Sequence, residues 1–92
     1  MGYEIHENEV VYLGNGDERL AWVTFPAIAG ESGVVDVDHT FVDPSLRGQG
    51  VAGELMARAV QAIRATDRKA RPTCSYAATW FERHPSEHDL LA

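Results

Sequence analysis

The first half of the chain alternates apolar and polar side chains with a period of two, which is typical of β-strands with one buried face. This pattern predicts strands over Tyr3–His6, Glu9–Leu13, Leu20–Phe25 and Val34–Val42. The last of these is the longest. Strict alternation in it places one set of residues on one face and a second set on the other. The first set is Val35, Val37, His39 and Phe41, and the second is Asp36, Asp38 and Thr40.

The dipeptide Asn15-Gly16 separates the second and third predicted strands. It is typical of a two-residue type I′ turn, in which both central residues need a positive φ. We therefore expect a tight antiparallel hairpin with these two residues at its tip.

The second half changes to helical periodicity. A helix is predicted over Gly50–Ala65, with one apolar face formed by Ala52, Leu55, Met56, Ala59 and Ile63. Met56 belongs to this face and is interpreted as core packing. A short strand is predicted over Ala70–Cys74. Ser75 would cap a second helix, which carries Tyr76, Trp80 and Phe81 and ends before Pro85.

The order of these elements favours an α+β (mixed α/β) fold in one domain, residues 1–92. The antiparallel strands come first, and a strand–helix–strand unit follows, which joins parallel strands by a crossover. We expect a twisted, mostly antiparallel sheet with one such crossover and two main helices.

The segment between the longest strand and the first helix has the composition of an anion-binding loop. Pro44 ends the strand, because it has no N–H to donate. Gly48 and Gly50 allow successive backbone amides to turn toward one point, at the start of a helix whose dipole favours negative charge. Arg47 adds a side chain suited to phosphate oxygens. The alternative is a glycine-rich turn that binds no ligand.

Composition narrows the classes of function. The net charge of −6 argues against nucleic acid as the main partner, and no apolar run is long enough to span a membrane. A single cysteine and the absence of a signal peptide favour the cytoplasm. The charge is uneven, with nine acids and one base through Asp43 (−8) and five acids and seven bases from Pro44 onward (+2). This split suits a polyanionic cofactor near the loop and a cationic acceptor elsewhere, although small domains often divide their charge by chance.

Two side chains are candidates for chemistry by position. Cys74 lies where a strand ends and a helix begins, so amides and the helix dipole favour its thiolate, which could accept an acyl group. His39 could deprotonate an amine. Each has a structural alternative: a small buried side chain for Cys74 and a hydrogen-bonded core residue for His39. His84 and His88 are not interpreted as zinc ligands, because Pro85 separates them and a fourth ligand is not evident.

Three blocks in order carry a resemblance to a known family. They are Asp38-His39-Thr40-Phe41-Val42-Asp43-Pro44, Arg47-Gly48-Gln49-Gly50-Val51-Ala52 and Pro72-Thr73-Cys74-Ser75-Tyr76. Together they resemble the minimal, single-domain type of the GCN5-related N-acetyltransferases (GNATs). The resemblance covers nearly the whole chain. It implies an enzyme that moves an acetyl group from acetyl-CoA to a primary amine, either of a small molecule or of a lysine-bearing protein.

The resemblance also implies roles for residues. Backbone groups of Phe41 and Val42 would pair with the pantetheine arm of the cofactor. The pyrophosphate would bind at Arg47 and at the amides of Gly48, Gln49, Gly50, Val51 and Ala52. Tyr76 would protonate the departing CoA thiolate, with core packing as its alternative, and Cys74 is the family's suspected catalytic residue. The helices that larger GNATs insert after the first strand are missing, so a non-catalytic acyl-CoA-binding or protein-interaction module is the alternative function.

Overall fold

The computed structural model describes residues 2–92 as an α+β fold with two main helices, as predicted. The strands are β1 Gly2–His6, β2 Glu9–Leu13, β3 Arg19–Thr24, β4 Val34–Val37, β5 His39–Val42 and β6 Lys69–Pro72. The helices are α1 Val51–Ala65 and α2 Ser75–Glu82, and short 3₁₀ turns cover Pro44–Leu46 and Pro85–Leu90. Among these residues, no helix is long and apolar enough to cross a membrane.

The strands form an antiparallel sheet in the order β1-β2-β3-β5 and a parallel pair, β4 and β6. The parallel pair, in which Val35 lies opposite Ala70, confirms the predicted strand–helix–strand crossover. The chain beyond β3 connects the two parts of the sheet, because the Asp36 N–H donates to the Pro26 carbonyl at 2.8 Å.

A β-bulge divides the long strand that the sequence predicts over Val34–Val42. The Asp38 N–H donates to the Thr24 carbonyl at 3.3 Å, and His39 is also the register partner of Thr24. Two residues therefore oppose one, which shifts the alternation by one position. The predicted shared face is wrong beyond Asp38: Val35 and Val37 are buried, whereas His39 is exposed.

The register defines two faces of the four-stranded sheet. The inner face consists of the cross-strand rows Tyr3–Tyr12–Ala21–Val42 and Ile5–Val10–Val23–Thr40. The outer face consists of the rows Glu4–Val11–Trp22–Phe41 and His6–Glu9–Thr24–His39. Only the inner face packs under α1.

The hydrophobic core lies between the inner face and α1. The helix buries Val51, Leu55, Met56, Ala59, Val60 and Ile63 against it, close to the face predicted from periodicity. Each fully buried large apolar side chain contributes about 1.5–3 kcal/mol. On the solvent side of α1, Arg58 pairs with Glu54 at 2.7 Å and lies over the Tyr3 ring, which fastens the helix to β1.

The hairpin between β2 and β3 differs from the predicted type I′ turn. The positive φ falls on Asp17 (61°), and the Gly14 N–H bonds to the Glu18 carbonyl at 2.9 Å. The turn is therefore longer than two residues and ends in one left-handed residue, a common hairpin geometry that Asp tolerates.

The start of α2 also differs from the prediction. Cys74, and not Ser75, is the N-cap residue, with extended backbone dihedrals. The thiol is thereby placed at the open end of the helix.

Candidate active site

A gap opens between β5 and β6 immediately after the bulge. The N–H groups of Thr73 and Cys74 both donate to the Val37 carbonyl at 3.1 Å, and this is where pairing of the two parallel segments ends. Beyond it, β5 pairs with β3 while β6 pairs with β4. The two strands therefore separate, with Thr40 on one side of the gap and Cys74 on the other.

One edge of β5 faces this gap with unused backbone groups. The Asp43 N–H donates to the Leu20 carbonyl at 2.7 Å, which sets the alternation of bonds between β5 and β3. Because bonded and non-bonded pairs alternate in an antiparallel ladder, the backbone of Phe41 bonds to β3, and that of Thr40 and Val42 points into the gap. The alternation thus assigns the edge to Thr40 and Val42, where the sequence led us to expect Phe41 and Val42.

The loop before α1 has the conformation of an anion-binding turn. Gly48 and Gly50 have φ values of 82° and 77°. Gly50 is the N-cap and supplies no side-chain bond, so the first amides of α1 have no partner within the helix. Together with Arg47, which makes no ion pair within residues 2–92, they line a cavity of about 420 Å³.

A second cavity, of about 490 Å³, lies between α1 and α2. Trp80 and His84 stack in its wall with ring centroids 3.8 Å apart, and Arg83 supplies a cation. Gly53 and Tyr76 line both cavities, so the two meet at the first turn of α1. The resulting groove begins at the glycine loop and runs between the helices.

The Cys74 thiol is half-buried beside the gap, with Sγ 3.7 Å from the Thr40 hydroxyl oxygen. Burial raises the pKa of this thiol. Hydrogen bonds from the Ala77 amide, the Thr40 hydroxyl and the Tyr76 amide outweigh burial, and the pKa falls below the ordinary value. A lowered pKa increases the fraction of thiolate, which is the nucleophilic form.

Tyr76 reaches from α2 toward the first turn of α1. Its side chain is 38% exposed, and its hydroxyl lies where a Cβ added to Gly53 would meet it at 3.9 Å. Burial raises the pKa of Tyr76, against a smaller lowering by Arg83. The hydroxyl therefore stays protonated at neutral pH and can donate a proton.

The structure brings Cys74, Tyr76 and the glycine loop to the inner side of the sheet, but it places His39 on the outer face. His39 is exposed on β5, next to Thr40 in sequence but on the opposite side of the strand. The contact of Thr40 with Cys74 was missed from the sequence, because a bulge leaves no mark in an alternating pattern.

The two histidines of the C-terminal segment are occupied by the backbone. A ring nitrogen of His84 lies 2.6 Å from the Trp80 carbonyl, and one of His88 lies 2.6 Å from the Phe81 carbonyl. In residues 2–92, no three His, Cys, Asp or Glu side chains cluster as metal ligands would.

The family profile of the GCN5-related N-acetyltransferases matches residues 3–90. The chain belongs to this family. A sequence search against curated proteins gives no significant match. For this GNAT domain, acetyl-CoA is the acyl donor that family membership supports.

Solved structures agree with the family assignment. A GCN5-like protein from Staphylococcus aureus is 27% identical, with a TM-score of 0.76 over 98% of this chain and 86% of that one. A GNAT enzyme from Escherichia coli, solved in complex with CoA, is 20% identical, with a TM-score of 0.62 over 70% of this chain and 38% of that one. The ribosomal-protein-S18-alanine N-acetyltransferase of Escherichia coli is 14% identical, with a TM-score of 0.64 over 90% of this chain and 52% of that one. This GNAT chain thus spans most of the first neighbour and about half or less of the other two.

Proposed function

We propose that this protein is an N-acetyltransferase that moves the acetyl group of acetyl-CoA to the primary amine of a small molecule or of a lysine-bearing protein. One observation supports this above the others: an uncapped helix N-terminus leads along an unpaired strand edge to a thiol of lowered pKa. The anion site at the start of α1, the free edge of β5 and the Cys74 thiol follow one another along the site. This is the order of the pyrophosphate, the amide arm and the thioester in acetyl-CoA.

The residues fit the cofactor in three parts. The amides at Gly50–Ala52 and the Arg47 side chain would hold the pyrophosphate, as helix N-termini and guanidinium groups do. The strand edge at Thr40 and Val42 offers the amide arm a ladder of hydrogen bonds. The groove lined by Trp80 would take the adenosine end by stacking.

Acetyl-CoA supplies an acetyl group already activated as a thioester. In a direct reaction, the amine nitrogen forms a bond to the carbonyl carbon, the C–S bond breaks, and the Tyr76 hydroxyl gives its proton to the leaving sulfur. His39 accepts the proton that the amine must lose, from the outer side of the gap.

A covalent route uses Cys74 instead. The thiolate attacks the thioester, CoA leaves, and the acetyl group on Sγ then passes to the amine. The lowered pKa of Cys74 and its position at the gap support this route. We propose that Cys74 takes an active part, and the acyl-enzyme experiment in the Discussion distinguishes the two routes.

The decisive test is release of free CoA thiol from acetyl-CoA in the presence of a panel of amines. We expect release that depends on a primary amine and rises with its concentration. Binding of CoA without release on any amine would favour the second candidate, a non-catalytic acyl-CoA-binding or protein-interaction module. That candidate is supported by the two-residue connection between β1 and β2, because it contains none of the helices that larger GNATs insert there.

A further inference from the structure

The outer face of the sheet, on the side away from the helices, carries an aromatic pair and several acidic side chains. The helix α1 packs on the inner face, and α2 packs mainly against β6. The outer face is therefore left to its own side chains, the rows Glu4–Val11–Trp22–Phe41 and His6–Glu9–Thr24–His39.

An aromatic pair lies at the centre of this face. The rings of Trp22 and Phe41 stack with centroids 4.6 Å apart, and both side chains are half-buried. Arg19 lies 5.2 Å over the Trp22 ring and bonds to Glu9, so this cation is already engaged. Rigid aromatic side chains that remain partly exposed are typical anchors of interfaces.

The charge around the aromatic pair is negative. In the part of the chain that the structure describes, Glu4, Asp36 and Asp38 have no lysine or arginine within 4.0 Å, and Glu4 lies 3.3 Å from a ring nitrogen of His6. Arg71, the register partner of Asp36, is paired with Glu31. Asp36 and Asp38 each accept one hydrogen bond from a threonine hydroxyl at 2.5 Å, which holds the carboxylates in place. Asp36 belongs to the same side, because it alternates with the buried Val35 and Val37.

This surface borders the gap from the side opposite to the cofactor groove. Phe41 and His39 are on β5, the strand that forms one wall of the gap. Cys74 and the two cavities of the groove are on the inner side, and no outer-face residue lines either cavity. An acceptor on the outer face would reach the gap beside His39 without crossing the cofactor.

We propose that the outer face is the docking surface of the acceptor, and that the acceptor is an extended, lysine-bearing polypeptide segment of net positive charge. This inference rests on the proposed function and names its substrate class. The carboxylates, none of which pairs with a lysine or arginine in residues 2–92, complement cationic side chains, and the aromatic pair takes the aliphatic stem of a lysine. A sheet face four strands wide, about 14 Å across, suits a chain segment better than a small molecule held in a pocket.

The two tryptophans allow each side to be followed separately. Trp22 lies on the outer face and Trp80 in the groove, so each indole N–H signal in a ¹⁵N spectrum reports one side. We expect a short lysine-rich peptide to shift the Trp22 signal, and CoA to shift the Trp80 signal. Each shift should also occur when the other ligand is saturating.

A charge-removing variant tests the same surface by rate. In the double variant Glu4→Gln/Asp38→Asn, we expect kcat/KM for the peptide to fall by about 4–25-fold, since each exposed ion pair is worth about 2–5-fold. The rate on a small neutral amine and the affinity for CoA should stay unchanged. Glu82→Gln, an equally exposed acid on α2, is the matched control and should affect neither substrate.

The outcomes separate the two proposals. If CoA shifts Trp80 while the peptide shifts Trp80 or neither indole, the docking surface is wrong and the cofactor site stands. If the Trp22 signal moves with protein concentration alone, the face joins two copies of this chain and the inference is overturned. If CoA shifts neither indole and no amine releases thiol, the proposed function itself fails.

Discussion

At the scale of single residues, the contact of Cys74 with Thr40 is the most informative. The two side chains come from different strands and meet across the gap only because the bulge at Asp38 turns Thr40 inward. The hydroxyl stabilises the thiolate, while burial of the sulfur opposes it. The pKa of Cys74 therefore depends both on the local Ala77 amide and on a residue 34 positions away in sequence.

Replacing Thr40 by Val should raise the pKa of the Cys74 thiol, because the hydroxyl that donates to the thiolate is lost while the shape is kept. The measurement is the rate of iodoacetamide alkylation against pH. In the wild type, this rate should reach half its maximum at a lower pH than for an ordinary cysteine. Thr40→Ser is the control and should keep the wild-type dependence of the alkylation rate on pH. If the wild type, Thr40→Val and Thr40→Ser all gave the same dependence, the contact of Thr40 with the thiolate would be refuted.

Replacing Cys74 by Ala should reduce turnover by more than about 100-fold, if the thiol carries the acetyl group. The affinity for CoA should persist, since the contacts that we propose for the cofactor are backbone amides and the Arg47 side chain. Mass spectrometry of the wild type with acetyl-CoA and no amine should then find one acetyl group, on Cys74, that hydroxylamine removes. Near-normal turnover of Cys74→Ala would establish direct transfer. Turnover would then depend on His39 as the base that deprotonates the amine.

At the scale of elements, the start of α1 depends on the backbone conformation of one glycine. Gly50 has a φ of 77°, and nothing lies within 4 Å of the position that a Cβ would occupy. The glycine is needed for its backbone conformation, and not for lack of room. The left-handed dihedrals turn the amides of the next residues into the cavity.

Gly50→Val should lower the free energy of unfolding by about 1–2 kcal/mol, since a β-branched residue is strained at this φ. It should also weaken CoA binding by tilting the amides. Gly50→Asn is the matched control, because Asn tolerates the left-handed region, and it should lose little stability. Thermal unfolding and CoA titration of both variants give the comparison; equal behaviour of Val and Asn would contradict this account of the loop.

At the scale of the whole molecule, the small size makes stability depend on the ligand. A domain of 92 residues buries only about 60–65% of its unfolded surface, so a bound cofactor adds a large fraction of the total stability. Ligand at about 100 times its Kd stabilises by about 2.7 kcal/mol. For a domain of this size, each kcal/mol shifts Tm by about 4–8 °C.

CoA at that excess should therefore raise Tm by about 10–20 °C. Arg47→Ala should reduce the shift at the same CoA concentration and leave the Tm without ligand unchanged, because Arg47 is exposed and forms no ion pair in residues 2–92. Differential scanning fluorimetry measures both. The absence of any shift at millimolar CoA would argue against the loop as a phosphate site.

The sequence predicted most elements because their signals are local. The apolar face of α1 and the alternation of β3 are periodic patterns, and their bounds lie within one or two residues of those observed. The left-handed Asp17 was missed, because Asn-Gly nearby is the stronger turn signal. The bulge at Asp38 was missed because Val35, Val37, His39 and Phe41 alternate without interruption, so nothing local marks the extra residue.

The candidate site could be predicted only in part, for the same reason. The glycine loop and Cys74 lie at element ends that local patterns reveal. The pairing of Thr40 with Cys74, and the separation of His39 from both, depend on a register that is fixed by contacts between distant strands. A one-residue shift moves each side chain to the other face, which no single-strand pattern records.

The bulge also has a kinetic consequence. If donor and acceptor occupy opposite faces of one strand, neither blocks the other, and both can be bound at once. Free CoA should then compete with acetyl-CoA but inhibit noncompetitively against the amine when transfer is direct. A double displacement through Cys74 keeps this inhibition pattern, because the two ligands still occupy separate faces. It alone exchanges labelled CoA into acetyl-CoA when no amine is present, so that exchange reports which route the chain uses.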